Sequence, residues 1–219
     1  MVESPLGPGP SRAERRRLTL ARLFGFDRTG PPPPETRAGE PLRPWTIPNA
    51  IGFLRLALLP VFLAVALSSS DGQDALSTTL FAVIAWGDYA DGIAARVTRQ
   101  YSRLGALMDP ISDRLLIVSG VVVAWDFDLL PRWALAVLAV RELAMVALAR
   151  YGLSRGVDLR INWPGRLAVG PVMSSLFFAM AALRTFAEVL LYLGLALAII
   201  ATVSYARSGR AQLAARADR

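Results

Sequence analysis

The chain has 219 residues, of which 54% are hydrophobic, and its formal net charge is +7 at pH 7. It contains no cysteine, histidine or lysine, so every basic side chain is an arginine. These absences exclude disulfides, thiolate and histidine metal sites, a Ser-His-Asp triad, Schiff-base chemistry and a P-loop lysine. Carboxylates, arginines, hydroxyls and bound ions remain to carry any reaction.

The first 46 residues form a tail that is rich in proline and arginine. Within it, Ser11-x-x-Glu14 is a capping box and predicts a short basic helix that ends near Phe26. One face of this helix is apolar and the other carries arginines, which favours a helix lying in the lipid headgroup region. The alternative is a solvated, disordered tail. A signal peptide is not indicated, because no apolar stretch follows the arginines.

From residue 47 onward, apolar windows of about 20 residues predict an all-α integral membrane protein with six transmembrane helices. These segments run roughly over 47–67, 76–97, 104–125, 132–152, 165–184 and 187–205. The second is the least clear, because it contains Asp88, Asp91 and Arg96. The organisation expected is a tail over 1–46, a membrane domain over 47–205 and a basic tail over 206–219.

Outside these segments, the number of arginines alternates between high and low from one loop to the next. The two tails and the loops near residues 96–103 and 150–166 carry 19 arginines, whereas the remaining loops carry only Arg132 and Arg184. Arginine is retained on the cytoplasmic side of membranes, so both termini are expected in the cytoplasm of a cell-membrane protein. Because the arginines border apolar segments, the basic charge indicates a lipid surface as partner, and no nucleic acid.

Four aspartates lie where the second and third predicted helices approach the cytoplasmic side. Asp88 and Asp91 are three residues apart and Asp109 and Asp113 are four apart, so each pair shares one helix face. A short loop joins the two helices. The spacing therefore predicts that four carboxylates meet near the headgroup level.

Such a cluster needs compensating positive charge, because a lone Asp within a membrane costs about 2.5 kcal/mol or more. The alternative to a functional site is simple ion pairing, but Arg96 and Arg114 are too few to neutralise four carboxylates. All-oxygen ligands select hard divalent ions such as Mg²⁺ or Mn²⁺. A divalent metal site is therefore expected.

Residues 88–113 read DYADGIAARVTRQYSRLGALMDPISD. This stretch resembles the signature of the CDP-alcohol phosphatidyltransferases, D-x2-D-G-x2-A-R-x7–9-G-x3-D-x3-D, at every fixed position. The resemblance covers roughly residues 45–205, including the six-helix layout. It implies transfer of a phosphatidyl group from CDP-diacylglycerol to an alcohol, release of CMP, two bound Mg²⁺ or Mn²⁺ ions and a homodimer. Small residues on the last helix, Gly194 and Ala198, allow such a dimer.

The resemblance also assigns roles to residues. Asp88, Asp91 and Asp109 correspond to metal ligands, and Asp113 contributes to the metal site and is the expected general base. A further set corresponds to positions around the CDP group: Asn49, Gly92, Ala95, Arg96, Ser102 and Gly105. No side chain is an obvious covalent nucleophile, so direct in-line displacement is expected.

The acceptor alcohol is less clear. Pro48-Asn49-x5-Arg55 and Arg141-Glu142 resemble the branch that contains phosphatidylglycerophosphate synthases and cardiolipin synthases. Glycerol 3-phosphate is the favoured acceptor, held by cations drawn from Arg141, Arg150, Arg160 and Arg166. Ala168 and Val169, however, replace a lysine and a threonine typical of enzymes that use it. The alternative acceptor is phosphatidylglycerol, giving cardiolipin. Independently of the acceptor, the alternative for Arg141-Glu142 is an ion pair within the membrane that holds helices together.

Three other functions are compatible with aspartates in membrane helices. A UbiA-type prenyltransferase also holds diphosphate on Asp-rich helices, but it would need more segments and would lack the D-G-x2-A-R run. A metal-ion transporter would place its acidic residues near the middle of the membrane. A catalytically inactive scaffold is disfavoured because every signature aspartate is present.

Overall fold

The computed structural model describes residues 36, 40–154 and 163–217, and residues 148–154, 163–167, 205 and 208–217 by their backbone only. The predicted helix near residues 11–26 lies outside these ranges. Within them the fold is all-α and contains no strand. The six helices are α1 (Ile47–Ser68), α2 (Ala75–Thr98), α3 (Arg103–Asp126), α4 (Arg132–Ser154), α5 (Trp163–Met180) and α6 (Arg184–Ala217).

Each of the first three helices, α1, α2 and α3, begins at a residue whose side chain caps it. The Thr46 hydroxyl accepts from the backbone N–H of Asn49, and Pro48 occupies the first turn of α1. The Asp74 carboxylate caps α2, and the Ser102 hydroxyl caps α3 by accepting from the backbone N–H of Gly105. Each cap satisfies a donor that the helix itself leaves unpaired, which fixes where the helix begins.

The connections between helices alternate between two ends of the bundle. The three loops over 69–74, 127–131 and 181–183 meet at one end, here called the distal end. There the Gln73 side-chain amide donates to the carbonyl of Ala179 at 3.4 Å, and the Arg184 guanidinium donates to the carbonyl of Asp128 at 3.4 Å. At the opposite end, the backbone N–H of Ile47 donates to the Gln100 side chain at 2.9 Å.

This opposite end is called the Arg-rich end, because it contains Arg43, Arg96, Arg99 and Arg103. The entry segment before α1 lies across the start of α3, where the backbone N–H of Leu104 donates to the carbonyl of Leu42 at 3.3 Å. The chain therefore brings the start of α1, the end of α2 and the start of α3 together. All four signature aspartates lie on the halves of α2 and α3 nearest this end.

The core is a single apolar cluster contributed by all six helices. At its centre the rings of Phe62 and Phe81 meet edge to face, 5.5 Å between centroids. Gly120 lets α3 approach this centre, since a Cβ there would lie 2.9 Å from Leu176 Cδ1 and 3.0 Å from Phe81 Cε2. Gly120 thus lets α2, α3 and α5 pack closely together at the centre of the core.

Many large apolar side chains point outward, among them Trp45, Trp86 and Leu143, which are 95%, 71% and 71% exposed. A surface of this kind suits lipid rather than water. Two segments of the described chain, Ile47–Ser68 and Arg184–Ser204, are long and apolar enough to cross a membrane. The structure thus confirms the all-α prediction, but the prediction of six transmembrane helices is not confirmed.

The last helix differs from the prediction in two ways. It continues to Ala217, well beyond residue 205, so its backbone remains helical through most of the basic tail. Its small residues are also used within the chain. Gly194 and Ala198 are buried, and a Cβ at Gly194 would lie 2.7 Å from Val172 Cγ2 and 3.0 Å from the Val172 backbone nitrogen. Gly194 therefore allows α6 to pack against α5, and Ala198 is buried within the chain.

Gly194→Ala is expected to lower the free energy of unfolding by about 1–3 kcal/mol, because backbone atoms of α5 must move to admit the methyl group. The matched control is Gly170→Ala, where nothing lies within 4 Å of the added Cβ. That change is expected to be close to neutral, because the gain in helix propensity from replacing glycine is offset by the steric restriction that Pro171 places on a preceding residue with a Cβ. Thermal unfolding in detergent measures both, and equal stability of the two variants would contradict the close packing of α5 and α6.

Candidate active site

The signature aspartates meet at the Arg-rich end. Asp88 and Asp91 lie on successive turns of α2, and Asp109 and Asp113 lie on successive turns of α3. Carboxylate oxygens of Asp88, Asp91 and Asp109 all lie within 4.8 Å of one another. Asp91 is buried, whereas Asp109 is exposed and Asp88 is half-buried. The cluster therefore has a buried floor and an open side.

This donor set fits a hard divalent cation. Three carboxylates from two helices converge, and no nitrogen or sulfur ligand is present because the chain contains no histidine or cysteine. Mg²⁺ and Mn²⁺ prefer such oxygen ligands, whereas Zn²⁺ sites usually include nitrogen or sulfur. The structure thus brings together the three residues that the resemblance assigned to metal.

A buried arginine from α1 completes the floor of the cluster. The Arg55 side chain is 3% exposed, and its two terminal nitrogens contact three of the four carboxylates. Nη1 donates to Asp88 Oδ1 at 3.1 Å and to Asp91 Oδ2 at 3.1 Å, and Nη2 donates to Asp113 Oδ1 at 3.1 Å. One guanidinium therefore links α1 to both aspartate pairs.

A glycine on α2 makes room for this arginine. Arg55 Nε donates to the backbone carbonyl of Ile84 at 3.0 Å, so the side chain lies along the surface of α2. A Cβ at Gly87 would lie 2.7 Å from both Cγ and Cδ of Arg55. Gly87 therefore lets the guanidinium reach the carboxylates that follow it on α2.

Neither Arg55 nor Gly87 is among the site residues predicted from the sequence. Only Arg96 and Arg114 are considered there as compensating cations, and Arg55 serves only as a marker of a family branch. One signal was available: Arg55 is the single charged residue in the 22 residues of α1. A lone charge in an otherwise apolar membrane segment usually has a buried partner.

Three of the residues predicted to surround CDP form a second cluster, beside the entry segment. Asn49 Nδ2 donates to the carbonyls of Arg43 and Pro44 at 2.9 and 3.1 Å, and Asn49 Oδ1 accepts from the Ser102 hydroxyl at 2.8 Å. A Cβ at Gly105 would lie 2.9 Å from that Asn49 oxygen. Asn49 and Ser102 are buried and bind each other, so in this structure they join α1 to the start of α3.

The other predicted CDP residues lie on α2, one turn beyond the first aspartates. The Arg96 guanidinium lies over Gly92, with its two terminal nitrogens 3.4 and 3.5 Å from the position of a Cβ there. Ala95 and Arg96 are both half-buried. Small residues and a cation thus follow the carboxylates on the same helix.

The residues predicted to bind the acceptor are only partly described. Arg141 pairs with Glu142, and its Nε donates to the Thr202 hydroxyl at 3.3 Å, which joins α4 to α6. The side chains of Arg150 and Arg166 and the whole of Arg160 lie outside the described residues. Of the basic stretch near 160–166, the structure describes the backbone of residues 163–166, which forms the first turn of α5.

An open cavity of about 770 Å³ lies elsewhere, at the distal end. It lies beside the last turns of α1 and the loop that follows, and it is lined by Ala64, Val65, Ser68, Ser69, Ser70, Asp71, Gln73, Asp74 and Ala75. None of the predicted site residues lines it. The chemistry-bearing side chains are instead concentrated at the Arg-rich end.

Comparison with known proteins gives several relatives. A protein of Mycobacterium bovis named "Putative cardiolipin synthase" is 35% identical over 124 residues, which are 56% of this chain and 58% of the relative. A Streptomyces coelicolor protein named "Cardiolipin synthase (CMP-forming)" is 40% identical over 111 residues, 48% of this chain and 52% of the relative. A Bacillus subtilis protein named "CDP-diacylglycerol--glycerol-3-phosphate 3-phosphatidyltransferase" is 27% identical over 135 residues, 56% of this chain and 70% of the relative.

The matched stretch thus spans little more than half the length of the first two relatives. A family model matches more of this chain. The model described as CDP-alcohol phosphatidyltransferase covers residues 45–200, which include the aspartate cluster, Arg55 and most of the helical bundle. Since that match covers well over half of the 219 residues, the protein belongs to the CDP-alcohol phosphatidyltransferase family.

Proposed function

We propose that this protein is a membrane enzyme of phospholipid synthesis that transfers a phosphatidyl group from CDP-diacylglycerol to a glycerol-containing alcohol, releasing CMP. The observation that carries the proposal is the convergence of Asp88, Asp91 and Asp109 beside Asp113. This cluster lies at one end of an apolar bundle, where a water-soluble nucleotide and a lipid tail can both reach it.

Asp88, Asp91 and Asp109 would hold Mg²⁺ or Mn²⁺, with two ions expected, and Asp113 would contribute to the same site. When bound there, such ions would supply the positive charge that neutralises diphosphate oxygens and favours the departure of CMP. Gly92 and Ala95 leave space beside α2 for the nucleotide, and Arg96 supplies a cation near its phosphates. Asn49, Ser102 and Gly105 support this region by holding the entry segment against α3.

Asp113 is the proposed general base. Arg55 contacts one of its two carboxylate oxygens, which leaves the other to accept a proton. The acceptor hydroxyl oxygen forms a bond to the phosphorus of the phosphatidyl group while its proton passes to Asp113. The bond between that phosphorus and the oxygen of CMP breaks, and CMP leaves with the electron pair.

For the acceptor we propose phosphatidylglycerol, which gives cardiolipin. Glycerol 3-phosphate is a small dianion that depends on cations for binding. One of the four arginines expected to bind it, Arg141, is already paired with Glu142, and Ala168 stands where enzymes that use this acceptor typically have a lysine. Phosphatidylglycerol carries one negative charge and is held in the bilayer by its acyl chains. The relatives at 40% and 35% identity are also named as cardiolipin synthases.

Glycerol 3-phosphate, which the sequence alone favoured, is the second candidate acceptor. It is supported by the relative from Bacillus subtilis, whose name specifies that acceptor. Arg150, Arg160 and Arg166 would supply the cations. The two acceptors thus differ in how much positive charge the site must offer.

We also propose that all six helices cross the cell membrane with both termini and the aspartate cluster on the cytoplasmic side. The alternation of arginines supports this orientation. Tryptophans near both ends, Trp45 at the Arg-rich end and Trp125 and Trp133 at the distal end, support the crossing itself but not its direction. Since Gly194 and Ala198 face inward, a homodimer would use the outward faces of the helices.

Purified protein in detergent or liposomes, given CDP-diacylglycerol and Mn²⁺ or Mg²⁺, is expected to release CMP when phosphatidylglycerol is added. Glycerol 3-phosphate is offered in a separate reaction, and lipid products are identified by mass spectrometry. Cardiolipin formation supports the first acceptor and phosphatidylglycerophosphate the second. Metal flux in liposomes without CMP release would instead indicate a transporter.

Asp113→Asn is expected to lower kcat by about 10²–10⁴-fold, because the proton acceptor is lost. Binding of CDP-diacylglycerol is expected to remain close to that of the parent protein. The matched control is Asp71→Asn, an exposed residue at the distal end, which should leave turnover unchanged. If Asp113→Asn abolishes binding as well, Asp113 acts chiefly as a metal ligand.

The membrane orientation can be tested directly, because the chain contains no cysteine and single cysteines can be introduced without background. Asp71→Cys and Asp128→Cys are expected to react with a membrane-impermeant maleimide added to intact cells. Gln100→Cys, at the Arg-rich end, is expected to react only after the membrane is opened. Labelling of all three positions from the same side would contradict the proposed orientation.

A further inference from the structure

Arg55 places a fixed positive charge inside the aspartate cluster. It contacts one oxygen each of Asp88, Asp91 and Asp113, and all three distances are 3.1 Å. In the described part of the chain no ion pair is found for Asp109, the most exposed of the four. The guanidinium therefore approaches from the buried side, and the open side of the cluster is left for a ligand.

The arginine is itself held in place. Its Nε donates to the Ile84 carbonyl, its stem passes over Gly87, and its side chain is 3% exposed. A planar guanidinium can hold several carboxylates in fixed directions, which a flexible ammonium group cannot do. Four of its five N–H groups have partners in these contacts. The arrangement is thus rigid and specific.

We propose that Arg55 is a positioning residue: it keeps the aspartate cluster assembled without metal and directs the remaining carboxylate oxygens toward the ion. This inference rests on the proposed function. The Arg55 guanidinium offsets the repulsion between the carboxylates, so the site is already assembled before the metal ion binds. The ion then binds carboxylates whose charge is already partly neutralised.

Loss of the Arg55 charge is expected to change metal affinity and turnover in opposite directions. Removing a positive charge only a few ångströms from a divalent ion strengthens ion binding, and this electrostatic gain exceeds the loss from freeing a few side-chain rotamers. Arg55→Gln is therefore expected to bind Mn²⁺ about tenfold more tightly or better. Its kcat is expected to fall about 100-fold, since the carboxylates are no longer correctly placed. General unfolding of the site would instead weaken both.

A second measurable consequence concerns the stability of the metal-free protein. In buffer with a chelator, Arg55→Gln is expected to unfold at least about 5 °C below the parent protein, because the four carboxylates then repel each other without a counter-ion. Added Mn²⁺ is expected to raise the unfolding temperature of the variant more than that of the parent. Arg184→Gln is the matched control, since Arg184 is exposed and pairs with Glu188 at the distal end. Because Arg184 lies far from the aspartates, this change should leave the rise in unfolding temperature caused by Mn²⁺ the same as in the parent protein.

Gly87→Ala tests positioning without removing any charge. The added methyl group must displace the stem of Arg55, so kcat is expected to fall about tenfold while Mn²⁺ affinity stays within about threefold. Gly170→Ala is its control, with open space around the new Cβ. If Arg55→Gln cannot be purified even with Mn²⁺, the proposal is judged on Gly87→Ala alone.

The decisive measurements are Mn²⁺ binding by electron paramagnetic resonance and thermal unfolding with and without chelator, neither of which depends on turnover. Tighter Mn²⁺ binding and lower metal-free stability in Arg55→Gln would support the proposal. Weaker Mn²⁺ binding, or unchanged stability without metal, would overturn it. Absence of CMP release by the parent protein would instead reject the proposed function, so the two failures are distinguishable.

Discussion

The arrangement of the site depends on one interaction, the ion pairing of a buried guanidinium with carboxylates from two other helices. Two like charges about 4 Å apart repel by roughly 4 kcal/mol at the effective dielectric of a partly buried site. The fold brings oxygens of Asp88, Asp91 and Asp109 within 4.8 Å, so it must compensate that repulsion. Arg55 does so from the apolar side, and the close approach of α1, α2 and α3 at this end follows from the contact.

The neighbouring hydrogen bonds serve the same arrangement. Asn49 binds the two carbonyls that precede α1 and the hydroxyl that caps α3, so the starts of these helices are held together about one and two-thirds turns from Arg55. Buried polar groups in a membrane protein must be paired within the protein, because lipid offers them no partners. The polar groups at the Arg-rich end therefore form two hydrogen-bonded clusters, one around Arg55 and one around Asn49, while the helices below them pack through apolar side chains.

This division of the bundle fits the proposed substrate, in which a charged nucleotide is joined to a lipid. The carboxylates are concentrated at one end of α2 and α3, whereas the surface below is apolar and suits acyl chains. A nucleotide diphosphate with a lipid attached has the same distribution of charge. Together with the convergence of the aspartates, this match supports the proposed phosphatidyl transfer over the passage of ions through the membrane.

The sequence by itself determined the aspartate constellation, the all-α class and the approximate helix boundaries, because these depend on spacing, hydropathy and local caps. Residues 88–113 carry the family signature in a single continuous stretch, so no tertiary information was needed to find it. Only the tertiary structure decided which cation neutralises the cluster. Arg55 lies 33 residues before Asp88 in the chain, and no local pattern indicates that a helix crossing at Gly87 brings them together. Likewise, small residues such as Gly194 permit close packing, but whether they pack against another subunit or against α5 depends on the packing of the whole bundle.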